Sequence, residues 1–229
     1  AGFLGAQASG ARLVASRDTR YQNLAVIASG GQYDVFADGE TAFSFPDPYT
    51  YEHYVHFIKA QRTDAQKILV IGGNPLGMIP ELLRYPVLKR LVYVVPDPGM
   101  AGVLQGVAAD DWHAIASDPR VAISACDGPR FLMTNRESYD VVISCAPEPA
   151  TACANRYFTR EYFAAASRAL TPHGVFVIGW KLPSSRPIRS PATAQRASSM
   201  SLSAPRRFSC GCRPRSRSAA PRSHCTVRI

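Results

Sequence analysis

Five short apolar runs, at residues 68–71, 91–95, 121–125, 141–144 and 175–180, alternate with helical patterns at 77–84, 99–107, 128–134 and 159–169. Each run is apolar almost throughout, so the strand it forms must be covered on both faces. Strands of that kind alternating with helices describe a parallel sheet with helices packed on both sides. The predicted fold class is therefore α/β, a Rossmann-like, mostly parallel sheet, and its ligands are expected beyond the carboxyl ends of the strands.

A different pattern precedes the sheet. Residues 21–45 fall into short runs near Asn23 to Ala28, Tyr33 to Ala37 and Thr41 to Phe45, punctuated by Gly30-Gly31 and Asp38-Gly39. Such dipeptides supply the positive φ angles of tight hairpin turns, which predicts a small antiparallel β module. It is too small to stand alone and should pack on its neighbour or on a second copy of itself, as in a homodimer. Pro46 and Pro48 end it, and Tyr49 to Gln61 read as a helix carrying Tyr51, Tyr54, Val55 and Ile58 at helical spacing. The expected organisation is an N-terminal segment (1–20), a hairpin module with its helix (21–62), the Rossmann-like domain (63–181) and a tail (182–229).

Charge separates the tail from the rest. The 229 residues carry a formal net charge of +9, yet residues 182–229 hold ten of the 26 basic residues and none of the 17 acidic ones. That leaves 16 basic against 17 acidic residues in the predicted folded part, which argues against a nucleic-acid role for it. In the tail, Ser, Arg, Pro and Ala make up 33 of 48 residues, so little apolar surface is available to offset ordering, and disorder is expected. Its composition fits a basic arm for RNA or phosphate and, better, an out-of-frame reading of GC-rich DNA. No run approaches the roughly 18 to 20 apolar residues that cross a bilayer. The expectation is a cytoplasmic protein, membrane-associated only if an upstream membrane part belongs to it. The six cysteines show no repeated Cys-x-x-Cys spacing and no histidine partners, so no metal site is expected.

Chemistry is sought in the loops after the strands. ILVIGGNPLG (68–77) places Gly72, Gly73 and Gly77 where a chain turns from a strand into a helix whose N-terminus can face a polar group, with Asn74 suited to a left-handed conformation. Met78 and Ile79 stand where a Walker A loop needs Lys and Ser or Thr, which excludes a triphosphatase of that type. Asp97 follows the second strand and either accepts two ribose hydroxyls or caps the helix that starts near Pro98. Asp127, in Cys126-Asp127-Gly128, is placed to accept from an adenine amino group. Three such positions in register favour a nucleoside site.

These segments carry a resemblance. GGNPLGMIPELLRYP, VVPDP, DPRVAISACDGPRFL, YDVVISCAPEPAT and NRYFTREYFAAASRALTPHGVFVI, with the upstream YQNLAVI and ADGETAFSFPDPYTYE, resemble the spermidine synthase family of polyamine aminopropyltransferases over about Tyr21 to Ile178. The closer likeness is to a divergent bacterial branch, often fused to a membrane part. The resemblance implies a methyltransferase-type Rossmann-like sheet and transfer of the aminopropyl group of decarboxylated S-adenosylmethionine to an amine such as putrescine. It further implies that Asp127 contacts adenine, that Tyr51 lies beside the polyamine in a gate, and that Gln22 belongs to the binding site.

The pattern also departs from that family. Its aminopropyl-holding Asp corresponds to Pro75, its ribose-holding Glu to Val95, and a further glutamine to Ala42. The proton-accepting Asp corresponds to Cys145, with Glu148 standing for the second acid of that loop. The family's sheet continues past residue 180, where this sequence turns to the Arg/Ser tail and leaves an edge strand uncovered. The implied function is an aminopropyltransferase domain of weak or altered activity. The alternatives are a catalytically silent adenosyl-ligand-binding or scaffolding domain, and an S-adenosylmethionine-dependent methyltransferase, which would leave the hairpins and Tyr51 unexplained.

Overall fold

A computed structural model describes residues 10–146, 149 and 151–179; the composition-derived tail and Glu148 lie outside the described residues. Two sheets are present. The first is antiparallel, in the order β1 (Arg12–Asp18), β2 (Asn23–Ser29), β3 (Gln32–Ala37), β4 (Glu40–Phe45). Its hairpins turn at Gly30-Gly31 and Asp38-Gly39, all four residues at positive φ, which matches the right-handed twist of the flanking strands. β1 was not expected: the reading from sequence begins the module at Tyr21. RLVASRD is an edge strand, mostly exposed, so neither burial nor alternation marks it in the sequence.

The second sheet is parallel, in the order β7 (Val121–Ala125), β6 (Arg90–Val95), β5 (Lys67–Gly72), β8 (Tyr139–Cys145), β9 (Leu170–Gly179). Helices α1 (Pro48–Gln61), α2 (Pro75–Leu83), α3 (Pro98–Val107), α4 (Ala109–Ala116), α5 (Gly128–Thr134), α6 (Ala152–Asn155) and α7 (Arg160–Arg168) accompany it. The α/β class with a preceding antiparallel module stands as predicted. Two differences arise in the elements: α4 interrupts a segment read as a connection, and β9 begins five residues before the apolar run at 175–180.

The pleat divides the core. Ile68 and Val70, Leu91 and Tyr93, and Val141 and Ile143 face one side, where they meet Met78, Ile79 and Leu82 of α2 together with Leu24, Val26, Val35 and Phe43 of the β module. Leu69, Ile71, Val92, Val94 and Val142 face the other, against Leu132 of α5 and Tyr162, Ala165 and Ala166 of α7. The β module thus shares one continuous core with the sheet, which explains how so small a module folds.

The strand order changes direction at the centre: from β5 the chain builds outward to β6 and β7, then crosses back to β8 and β9. Pairing places Gly72 opposite Cys145, Val95 opposite Ala125, and Cys145 opposite Gly179. The carboxyl ends therefore stand level, with the switch of direction between β5 and β8. Open α/β sheets bind their ligands at that point.

Candidate functional site

The loop after β5 shows how a Gly-Gly-Asn-Pro sequence makes the turn. Gly72 and Gly73 take the positive φ angles, +70° and +76°. Asn74, expected in the left-handed region, is extended instead, at φ −86°. Its side chain is the reason: Oδ1 accepts from the N–H groups of Leu76 (3.0 Å) and Gly77 (3.2 Å), and Nδ2 donates to the Ser44 carbonyl (3.2 Å). Asn74 is the N-cap of α2, and Pro75 occupies the first helical position, where its missing N–H costs nothing. Two of the N–H groups that such a loop could offer to a ligand are used by its own cap.

Gly77 faces α1. A Cβ there would lie 2.2 Å from the Tyr51 ring, so the glycine lets that ring settle onto α2. Tyr51 is 5% exposed, and burial pushes its hydroxyl above the ordinary tyrosine range, with the Asn74 side chain opposing that shift as a hydrogen-bond partner. Tyr51 and Gly77 are thus brought together as a packed pair.

Cys145 ends β8. A Cβ on Gly73 would lie 2.7 Å from its Sγ, and Sγ lies 3.7 Å from Met78 Sδ. Burial pushes the Cys145 thiol up to about 12. Tyr51, Tyr54 and Tyr93 are close enough for a Cys145 charge to raise their own hydroxyls further, beyond what burial alone does. The wall around this sulfur is therefore aromatic and thioether.

Asp97 is 5% exposed and accepts three hydrogen bonds. Oδ1 accepts from Gly99 N–H (2.8 Å), which makes Asp97 the N-cap of α3, with Pro98 at the first position. Oδ2 accepts from the Thr19 hydroxyl (2.9 Å) and from Gln22 Nε2 (3.1 Å). Of the two readings from sequence, the capping one describes this geometry. Gln22 and Asp97 meet each other across the junction between the β1–β2 turn and α3.

Asp127, at the tip of β7, caps α5 by accepting from Arg130 N–H (3.2 Å) and forms an ion pair with Arg156 through the same oxygen, Oδ2. Arg156 opens a short 3-10 turn, Arg156–Phe158, that follows α6. Beside it, the Tyr157 ring lies 3.0 Å from where a Gly128 Cβ would be.

Gly72, Gly73, Cys145, Asp97 and Asp127 all stand on the carboxyl side of one sheet. A family profile described as the spermine/spermidine synthase domain matches residues 48–185. The chain belongs to that family. The matched part runs from α1 through β9 and includes the loop after β5, Asp97, Asp127 and Cys145. Among curated relatives, the polyamine aminopropyltransferase of Mycobacterium tuberculosis (strain ATCC 25618 / H37Rv) is 29% identical over 178 residues, covering 76% of this chain and 34% of that protein. That of Streptococcus pneumoniae serotype 4 is 33% identical over 141 residues, covering 61% and 49%. The chain therefore spans between a third and a half of the length of these relatives. Among solved structures, spermidine synthase from Thermotoga maritima superposes with a TM-score of 0.62 at 23% identity, over 73% of this chain and 56% of that one. A spermidine synthase in complex with a transition-state analogue gives 0.64 at 22%, over 73% and 57%. At such identities these structures establish a shared spermidine-synthase fold.

Reading the sequence alone did not find Thr19, Arg156 or Tyr157. Each acts on a residue far away in the chain, and only the capping residues Asn74, Asp97 and Asp127 had a local signal, a side-chain acceptor just before a proline or glycine at the helix start. Among the described residues no cluster of His, Cys, Asp and Glu could hold a metal ion, and no helix is long and apolar enough to cross a membrane.

Proposed function

We propose that this chain is an aminopropyltransferase-family domain that keeps an adenosyl-ligand site but transfers the aminopropyl group slowly. The observation that carries this reading is Cys145, whose half-buried thiol lies against Gly73 and Met78 at the switch point and is pushed up to about 12.

The reaction of this family is a displacement. The lone pair of a neutral amine attacks the methylene carbon beside a sulfonium, the C–S bond breaks, methylthioadenosine leaves, and the new ammonium releases a proton. A positioned base usually contributes about a hundred- to ten-thousand-fold to such a step. At pH 7 a thiol with a pKa near 12 is ionised in only about one molecule in a hundred thousand, so it is already protonated and has no capacity to receive another proton. It also brings no negative charge to hold a polyamine, and the side chains described around it, Tyr51, Tyr54, Tyr93 and Met78, are uncharged as well. Glu148 would be the nearest remaining acid by sequence.

The second reading, a domain that binds an adenosyl ligand without turnover, draws on the same thiol, since a site with no base at position 145 can bind and not transfer. Calorimetry with decarboxylated S-adenosylmethionine, S-adenosylmethionine and methylthioadenosine, followed by chromatography of the amine product with putrescine, separates the readings. The expected result is saturable binding of the decarboxylated ligand and slow product formation. Binding without product supports the silent domain, and no binding of any of the three rejects both.

A further inference from the structure

Resting on the adenosyl-site reading, we propose that Arg156 is a specificity-determining residue that competes with the purine for Asp127. Its guanidinium donates to Oδ2 of the carboxylate that would receive an adenine amino group, so a purine that comes to this oxygen binds as the ion pair opens or shares it. Three observations place Arg156 for this. It lies directly after α6, which Thr151 caps by accepting from Ala154 N–H, so the backbone leading to it is fixed. Its neighbour Tyr157 is buried, packs against Gly128, and meets Tyr162 of α7 edge-on at 5.3 Å between ring centroids. Asp127 is itself held by Arg130 N–H, so the two partners face each other from two anchored segments, one after β7 and one after β8.

Magnitudes make the pair a competitor rather than a lock. The Arg156 side chain is 51% exposed and that of Asp127 26%, and exposed ion pairs of this sort change an equilibrium by at most about fivefold. A purine amino group that finds the carboxylate uncovered should gain about that much. Because the pair is exposed, salt weakens it. Methylthioadenosine is uncharged, so its own attraction to the site depends little on salt, and its affinity should rise with ionic strength while Arg156 is present.

The experiment is calorimetric titration of the full chain with methylthioadenosine at about 0.05 M and 0.5 M salt, for the wild type, Arg156→Met and Arg156→Lys. Arg156→Met is expected to bind about two- to fivefold more tightly than the wild type at low salt and to lose the salt dependence; Arg156→Lys, which keeps the charge, is expected to retain it. Equal or weaker binding by Arg156→Met, or the same salt trend in all three proteins, overturns the competition. If Arg156→Met does not fold, the wild-type and Arg156→Lys salt trends decide alone, and affinity that falls or stays level with salt in both overturns it. Heat from none of the proteins overturns the adenosyl-site reading itself and this inference with it, an outcome distinct from equal binding by all.

Discussion

At the scale of a residue, the proposed function turns on position 145. A thiol pushed up to about 12 is neither base nor nucleophile at neutral pH, because nearly all of its reactivity resides in the thiolate. Cys153 is exposed on α6 and lacks that burial. Alkylation by iodoacetamide at pH 8, followed by mass spectrometry of each cysteine peptide, should therefore modify Cys145 at least about a hundredfold more slowly than Cys153. Comparable rates would show an open, ionising Cys145. Gly73 and Met78 lie against this half-buried sulfur, a pair of contacts that no local pattern in the sequence encodes.

At the scale of elements, two contacts hold the site's frame. Where α1 meets α2, Gly77 admits the Tyr51 ring, and a methyl group there would overlap it at 2.2 Å. Gly77→Ala gains about 1 kcal/mol in helix propensity, but overpacking costs about 1–3 kcal/mol, so a net loss of stability in denaturant unfolding is expected, and a stabilised variant would contradict the packing. At the amino end of the sheet, Asp140 of β8 accepts from Gln66 N–H (2.8 Å), Lys67 N–H (3.0 Å) and the Thr171 hydroxyl (3.0 Å), joining β5, β8 and β9. Burial would raise its pKa, yet these donors hold it below the ordinary carboxylate range. A depressed folded pKa stabilises above the unfolded pKa of about 3.9 and is lost as the pH falls through the folded one. Asp140→Ala should accordingly cost about 1–2 kcal/mol at pH 7 and much less near pH 2, read from unfolding at both pH values; a pH-independent cost would contradict the linkage. The central strands were legible because β5, β6 and β8 each contain an unbroken apolar run, at 68–71, 91–95 and 141–143. β1 and α4 were not, since an exposed edge strand and a short helix rich in Asp, Trp and His bury too little to impose a period.

At the scale of the whole molecule, Asp97 links the β module to the parallel sheet through Thr19, Gln22 and the start of α3. Asp97→Ala removes a cap and two side-chain bonds at once, which should cost about 2–3 kcal/mol and speed hydrogen exchange of β1 and β2 amides, whereas unchanged exchange there would show that the link is dispensable. The sequence gives Asp97 two roles with equal warrant, because a carboxylate before a proline is the same signal for a cap and for a ribose. The structure shows the cap and adds partners 75 and 78 residues away, and no local pattern encodes such pairs. The same limit hid Arg156 from view, 29 residues beyond Asp127. Family, fold and strand tips were legible together because they rest on many residues in order, while the state of each carboxylate rests on one distant neighbour. The proposed function turns on a thiol standing where a base would be needed. Its most direct test is spermidine formation from decarboxylated S-adenosylmethionine and putrescine at pH 8, compared between the wild type and Cys145→Asp at saturating ligand. The expected result is slow transfer by the wild type and transfer at least about tenfold faster by Cys145→Asp; a wild type that matches or exceeds Cys145→Asp would contradict it.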